Sequence, residues 1–118
     1  MASLSQSERE RFSGALHRVA GDEELLITLA QIIAEDAALI LEKLETQLQE
    51  RRLNEFAQSA HALKGLLSSF ETGPPVKDLQ SIIDAARQDD FQAVQALFRI
   101  VQPCLHTFVS QVGRLADG

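Results

Sequence analysis

The sequence predicts an all-α domain, an antiparallel up-down four-helix bundle with a short additional N-terminal helix. Three observations carry this prediction. Leu, Ala, Ile, Gln and Glu recur throughout the 118 residues, while Trp and Tyr are absent and Phe numbers six, a composition that favours helix over strand. Apolar residues return every three or four positions, the spacing of one helical face, rather than alternating. The breaks between these stripes are short, and short breaks make successive helices antiparallel neighbours. At 45% hydrophobic residues the chain can build one core, so residues 1–118 are expected to form a single domain.

The first helix is expected from Ser7 to Val19, with Ser7 and Glu10 spaced as a capping box and Phe12, Leu16 and Val19 on its apolar side. Gly21 breaks the pattern, and Asp22 is placed to cap a long second helix that reaches about Glu50. Its stripe is Leu26, Leu29, Ile33, Ala37, Ile40, Leu44 and Leu48, and Arg51 and Arg52 follow where positive charge suits the helix dipole. The third helix, Leu53 to Phe70, turns Leu53, Phe56, Ala57, Ala60, Leu63, Leu67 and Phe70 inward. Glu71-Thr72-Gly73-Pro74-Pro75 reads as a loop, with Pro75 suited to the first turn of a fourth helix. That helix buries Val76, Leu79, Ile83 and Ala86 and stops near Gln88. Asp89-Asp90 then caps a fifth, whose stripe is Phe91, Val94, Phe98, Val101, Leu105, Phe108, Val112 and Leu115. Pro103 falls inside it and predicts a kink or a local break.

Composition removes several classes of function. A net charge of −6 repels phosphate backbones and anionic membrane surfaces, so neither nucleic acid nor membrane is an expected partner. The single cysteine, Cys104, excludes an internal disulfide and a thiolate zinc site. No apolar run approaches a membrane span, and the opening Met1-Ala-Ser-Leu-Ser lacks a signal pattern; a cytoplasmic location is expected. No Gly-rich phosphate loop or nucleotide motif is present, so no autonomous kinase or ATP site is expected. Neither other histidine stands at ligand spacing to His61, which leaves a metal-binding bundle without support.

Of the three histidines, His17 and His106 lie off the apolar stripes and read as surface positions. His61 differs in its neighbours. It lies on the shoulder of the third helix's apolar face, with Gly65 and Ser68 one and two turns on, and Asn54 and Gln58 before it. A glycine inside a helix costs roughly 1 kcal/mol against alanine, and no turn calls for one here. It clears the surface beside the imidazole for another protein's approach. Lys64, three residues from His61, can bring a flexible ammonium to the same place and steady an anion on the ring. Imidazole is a good nucleophile near neutral pH, with an ordinary pKa of about 6.5. Attack on phosphorus needs an exposed nitrogen, positive charge nearby and room for an in-line donor. The pattern therefore points to reversible phosphorylation of His61, with the phosphoryl group supplied by a partner.

His61-Ala62-Leu63-Lys64-Gly65 resembles the mid-helix His-x-x-Lys-Gly signature of the histidine-containing phosphotransfer (HPt) domains of two-component phosphorelays. Gly21-Asp22-Glu23-Glu24-Leu25-Leu26 is similar to the family's entry into its second helix, and Ala85-Ala86-Arg87-Gln88-Asp89-Asp90 to the turn between its last two. The resemblance implies a monomeric four-helix bundle with His61 as phosphoacceptor. Its implied partners are response-regulator receiver domains or a hybrid sensor histidine kinase. It implies no intrinsic cofactor, since the receiver supplies magnesium. Lys64 and Gly65, with Gln58 and Ser68 bordering them, would form the phosphoryl-stabilising and docking surface, with an apolar flank near Leu66. Two departures stand out. The family's second glycine is replaced by the run Leu66-Leu67-Ser68-Ser69-Phe70-Glu71. The place of its ring-orienting acid or amide falls on Ile83, leaving Gln80, one turn earlier, as the candidate substitute.

Two other readings fit a helical bundle. One is a non-catalytic scaffold or docking module. The other is the dimerisation and phosphotransfer domain of a sensor kinase, but its usual acid beside the histidine and proline soon after are missing, since Ala62 follows His61 and no proline precedes Pro74.

Overall fold

The computed structural model describes residues 3–115 and is all-helical. Met1 and Ala2, on which part of the leader reading rests, lie outside the described residues. A pair of short helices, α1 (Gln6–Arg11) and α2 (Ser13–Arg18), precedes four longer ones: α3 (Glu23–Gln49), α4 (Leu53–Leu67), α5 (Leu79–Arg87) and α6 (Phe91–Gly113). The last four pack in a ring, α3 against α4, α4 against α5, α5 against α6 and α6 back on α3, giving a rod of 47 × 20 × 19 Å. Among the described residues no helix is long and apolar enough to cross a membrane.

The N-terminal cover differs from the single expected helix in two ways. Its capping box is Ser5 with Glu8, not Ser7 with Glu10: the Ser5 hydroxyl accepts from the Glu8 amide at 3.1 Å, and the Ser5 amide donates to Glu8 Oε1 at 2.8 Å. The register is set from outside the helix, because Leu4 is buried and its amide donates to Glu23 Oε1 at 2.8 Å. The helix also breaks at Phe12 (φ −113°, ψ 30°), whose ring turns inward to meet Phe70 and Phe108 edge-on at 5.9 and 6.4 Å. Ala20 and Gly21 both take left-handed φ, 56° and 80°, which turns the chain into α3. Asp22 then caps α3 as expected, accepting from the Leu25 amide at 3.1 Å.

The expected stripe of α3 marks only part of its buried surface. Leu26, Ile33, Ala37 and Leu44 are buried, but Leu29, Ile40 and Leu48 are only partly so, while Ile27, Ala30, Leu41 and Gln47 are buried as well. A helix wedged between α4 and α6 buries a wide arc rather than a narrow line. The stripe of α4 is buried at every expected position, including Phe70 just beyond the helix. Phe56 on α4 meets Phe98 on α6 edge-on at 5.4 Å.

Two boundaries shift and one expected break is absent. α4 ends at Leu67, and the carbonyls just beyond it find a partner on the N-terminal cover: Arg18 Nη1 donates to the carbonyls of Ser69 at 2.7 Å and Ser68 at 3.4 Å. Pro75 precedes α5 rather than opening it. The segment between is tight turns, with the Asp78 amide donating to the Pro75 carbonyl and the Leu79 amide to the Val76 carbonyl, both at 3.2 Å. α6 runs unbroken through Pro103, so the local break does not occur. Pro103 is exposed, and a carbonyl freed on the solvent side can bond water. Asp90 caps α6 by accepting from the Ala93 amide at 3.1 Å, while Asp89 makes the preceding turn with φ 59°.

Candidate functional site

α4 has two faces. The inner one is closed by Phe56, Ala57, Ala60, Leu63 and Leu67. Along the outer one Asn54, Gln58, His61, Ala62 and Gly65 are all exposed, their spacings of three and four placing them on one side of the helix. The His61 imidazole makes no hydrogen bond or ion pair with any described residue. A Cβ built on Gly65 would meet nothing within 4 Å, so the missing side chain leaves open surface one turn from the ring.

Lys64 stands between this strip and the core. It is half-buried, and its Nζ donates to Gln80 Oε1 on α5 at 2.7 Å. Gln80 Nε2 in turn donates to Asp84 Oδ1 at 2.9 Å. Both ends of the Gln80 amide are therefore engaged away from the His61 ring. Ile83 is fully buried in the core. Ser68, half-buried at the end of the strip, donates its hydroxyl to the Lys64 carbonyl at 2.5 Å. Gln58 borders the imidazole on the other side, exposed. Leu66 packs half-buried against the core; the large exposed apolar side chains are Leu25, Ile32 and Leu39 on α3 and Ile100 on α6.

Two residues of this neighbourhood were not singled out from the sequence. Asp84 was findable, because it follows Gln80 by one helical turn. Arg18 was not, since the carbonyls it binds are 50 and 51 residues away. It ties the N-terminal cover to the C-terminal end of α4. The cover has a second tie there, from Arg11 to Glu71 at 2.6 Å. Partial burial pushes the Glu71 carboxyl up, but the amides of Gly73 and Thr72 and the Arg11 guanidinium outweigh it and hold it below the usual value of 4.5. Glu23 is held below that value chiefly by the Leu4 amide and then by Arg9.

The other histidines stand in different company. His17 is exposed on α2. His106 is exposed on α6 with Nε2 3.6 Å from Glu45 Oε1 on α3, a carboxylate that also accepts from Gln102. Among the described residues no group of three or more His, Cys, Asp or Glu side chains could hold a metal ion.

Comparison of the chain with protein-family models, with curated proteins and with solved structures gave no match. The geometry of α4 and α5 is thus the ground for a functional reading.

Proposed function

We propose that this bundle is a phosphorelay intermediate of the histidine-containing phosphotransfer kind, accepting a phosphoryl group on His61 from a receiver-domain aspartate and passing it to another receiver. The observation that carries the reading is an exposed, unengaged imidazole on a bundle helix, with a glycine's open surface and a lysine one turn on. In the transfer, a lone pair of the neutral ring forms the N–P bond as the P–O bond to the aspartate breaks. The electron pair leaves with the carboxylate, and the ring keeps its other N–H as a cation that can shed its proton to water. Donation to the next receiver reverses these bonds. The receiver brings the magnesium, Lys64 balances phosphoryl charge, and Gly65, Gln58 and Ser68 shape the approach.

The test is phosphoryl transfer from labelled receiver domains with magnesium to wild type and to His61→Gln. Acid-labile, base-stable label on the wild type alone supports the reading. A folded bundle that takes no label from a broad panel of receivers would sink it. One observation favours a second reading, that of a docking module: Leu25, Ile32 and Leu39 stand exposed at seven-residue intervals along α3. In that case His61→Gln leaves partner binding unchanged.

A further inference from the structure

Lys64 is a donor only, and the carboxylate of Asp84 is an acceptor only. Between them the Gln80 amide has one possible orientation, with Oε1 on the ammonium and Nε2 on the carboxylate, and this is the one observed, at 2.7 and 2.9 Å. Asp84 therefore does more than share a helix with Gln80: by accepting from Nε2 it anchors the amide whose Oε1 receives the ammonium. The lysine stem lies half-buried along the α4–α5 seam, so the side chain is held by α5 rather than waving in solvent. It is held by a neutral acceptor, however, and an anionic phosphoryl oxygen would attract the ammonium by net charge as well as by hydrogen bonding, which an amide oxygen cannot.

Resting on the phosphohistidine reading, we propose that Gln80 and Asp84 are positioning residues that hold the Lys64 ammonium on α5 while His61 is empty and yield it to the phosphoryl group once His61 is loaded. The amide acts as a weak, oriented competitor. It keeps the charge on α5, on a side chain three residues along α4 from the ring, and sets how much of it the phosphohistidine receives. Variants at Gln80 should therefore act with opposite signs. Gln80→Leu removes the competitor and frees Lys64, lengthening the phosphohistidine lifetime. Gln80→Glu replaces a neutral competitor with a charged one and shortens it. Each change should be about twofold to fivefold, the range that a partly exposed ion pair supports. Asp84→Ala, at an exposed position that leaves the core untouched, removes the anchor on Nε2 and should lengthen the lifetime by less.

The test loads His61 directly with a small phosphoramidate donor, maps the label by mass spectrometry and follows its hydrolysis, with each variant made both in wild type and in Lys64→Gln. In parallel, the nitrogen-15 resonance of the Lys64 ammonium is followed before and after loading. Expected are a shift of that resonance on loading, opposite effects of Gln80→Leu and Gln80→Glu, and loss of the Gln80→Leu effect when Lys64 is absent. A Gln80→Leu effect of equal size with and without Lys64, or an unmoved resonance with unchanged lifetimes, overturns the inference while leaving His61 as acceptor. No label at His61 in a folded protein overturns the parent reading instead, and the two failures are told apart by the label map.

Discussion

The inner and outer faces of α4 answer to different requirements. Every inner position is explained by packing: Phe56, Ala60, Leu63 and Leu67 are fully buried, and any helix in this bundle would need residues of that kind there. The outer face contains what packing does not explain, an unengaged imidazole and a glycine in the last turn of the helix rather than beyond its end. Gly113 at the end of α6 supplies the contrast. A Cβ there would come within 3.2 Å of Ala34 Cβ on α3, so close helix approach accounts for it. At Gly65 a Cβ meets nothing, and the helix bears the propensity cost without a structural return. A glycine kept for packing is identified by what it touches; Gly65, which like Gly14 touches nothing, is set apart by its place one turn from the unengaged imidazole.

The sharpest way to separate the faces is to cut into the inner one. Phe56→Ala should lower unfolding stability by about 3–5 kcal/mol, since the ring is fully buried and stacked edge-on with Phe98. Urea unfolding measures it; a loss under about 1 kcal/mol would mean the core is not packed as described. Next in size is a bulky residue on the outer face. Gly65→Trp should leave the unfolding midpoint nearly unchanged and slow transfer from a receiver by about tenfold to a hundredfold, the scale of misplacing reacting groups by about an ångström. Transfer at the wild-type rate would show that clearance beside His61 is not what the glycine provides.

Much of this contrast was legible in the sequence, and the reason is local. The inner stripe of α4 could be read at every position because one regular face meets the core. His61, Lys64 and Gly65 could be read together because their spacing alone makes them neighbours. What was not legible depended on other elements. The buried arc of α3 spans two neighbouring helices, so a single line through Leu29, Ile40 and Leu48 followed its edge. Ser5 with Glu8 and Ser7 with Glu10 are equally good capping boxes, and only the tie from Leu4 to Glu23 decides between them. The hold of Gln80 on Lys64 requires the register of α5 against α4 across the turns from Ser68 to Asp78. No spacing rule supplies that register.

A smaller substitution refines the comparison of glycines. Gly65→Ala should raise stability by up to about 1 kcal/mol, the interior helix-propensity difference being its ceiling in this last turn, because its methyl group enters open space. Gly113→Ala should gain less, since Ala34 must give way. Gly14→Ala, also in open space but on the short α2, is the control: it should gain stability without altering phosphoryl transfer. Thermal unfolding of the three variants orders them. An equal gain at Gly113 and Gly65 would erase the distinction between a packing glycine and a clearing one.

The smallest expected effect concerns what secures the end of the outer face. Beyond Leu67 the chain is tied to the N-terminal cover by Arg18 on the Ser68 and Ser69 carbonyls and by Arg11 on Glu71. Because the Glu71 carboxyl titrates below 4.5 in the folded protein, its contribution is present above that value and is lost as pH falls through the lowered one. Glu71 is only partly buried and its partner Arg11 is exposed, so solvent screening keeps the contribution under about 1 kcal/mol. Urea midpoints between roughly pH 6 and pH 3 should fall less steeply for Glu71→Gln than for wild type, with a Gln variant at exposed Glu35 on α3 following the wild-type slope. Parallel curves for wild type and Glu71→Gln would mean that the Arg11 tie adds nothing, leaving Arg18 and the Phe12–Phe70 contact to hold the cover against α4.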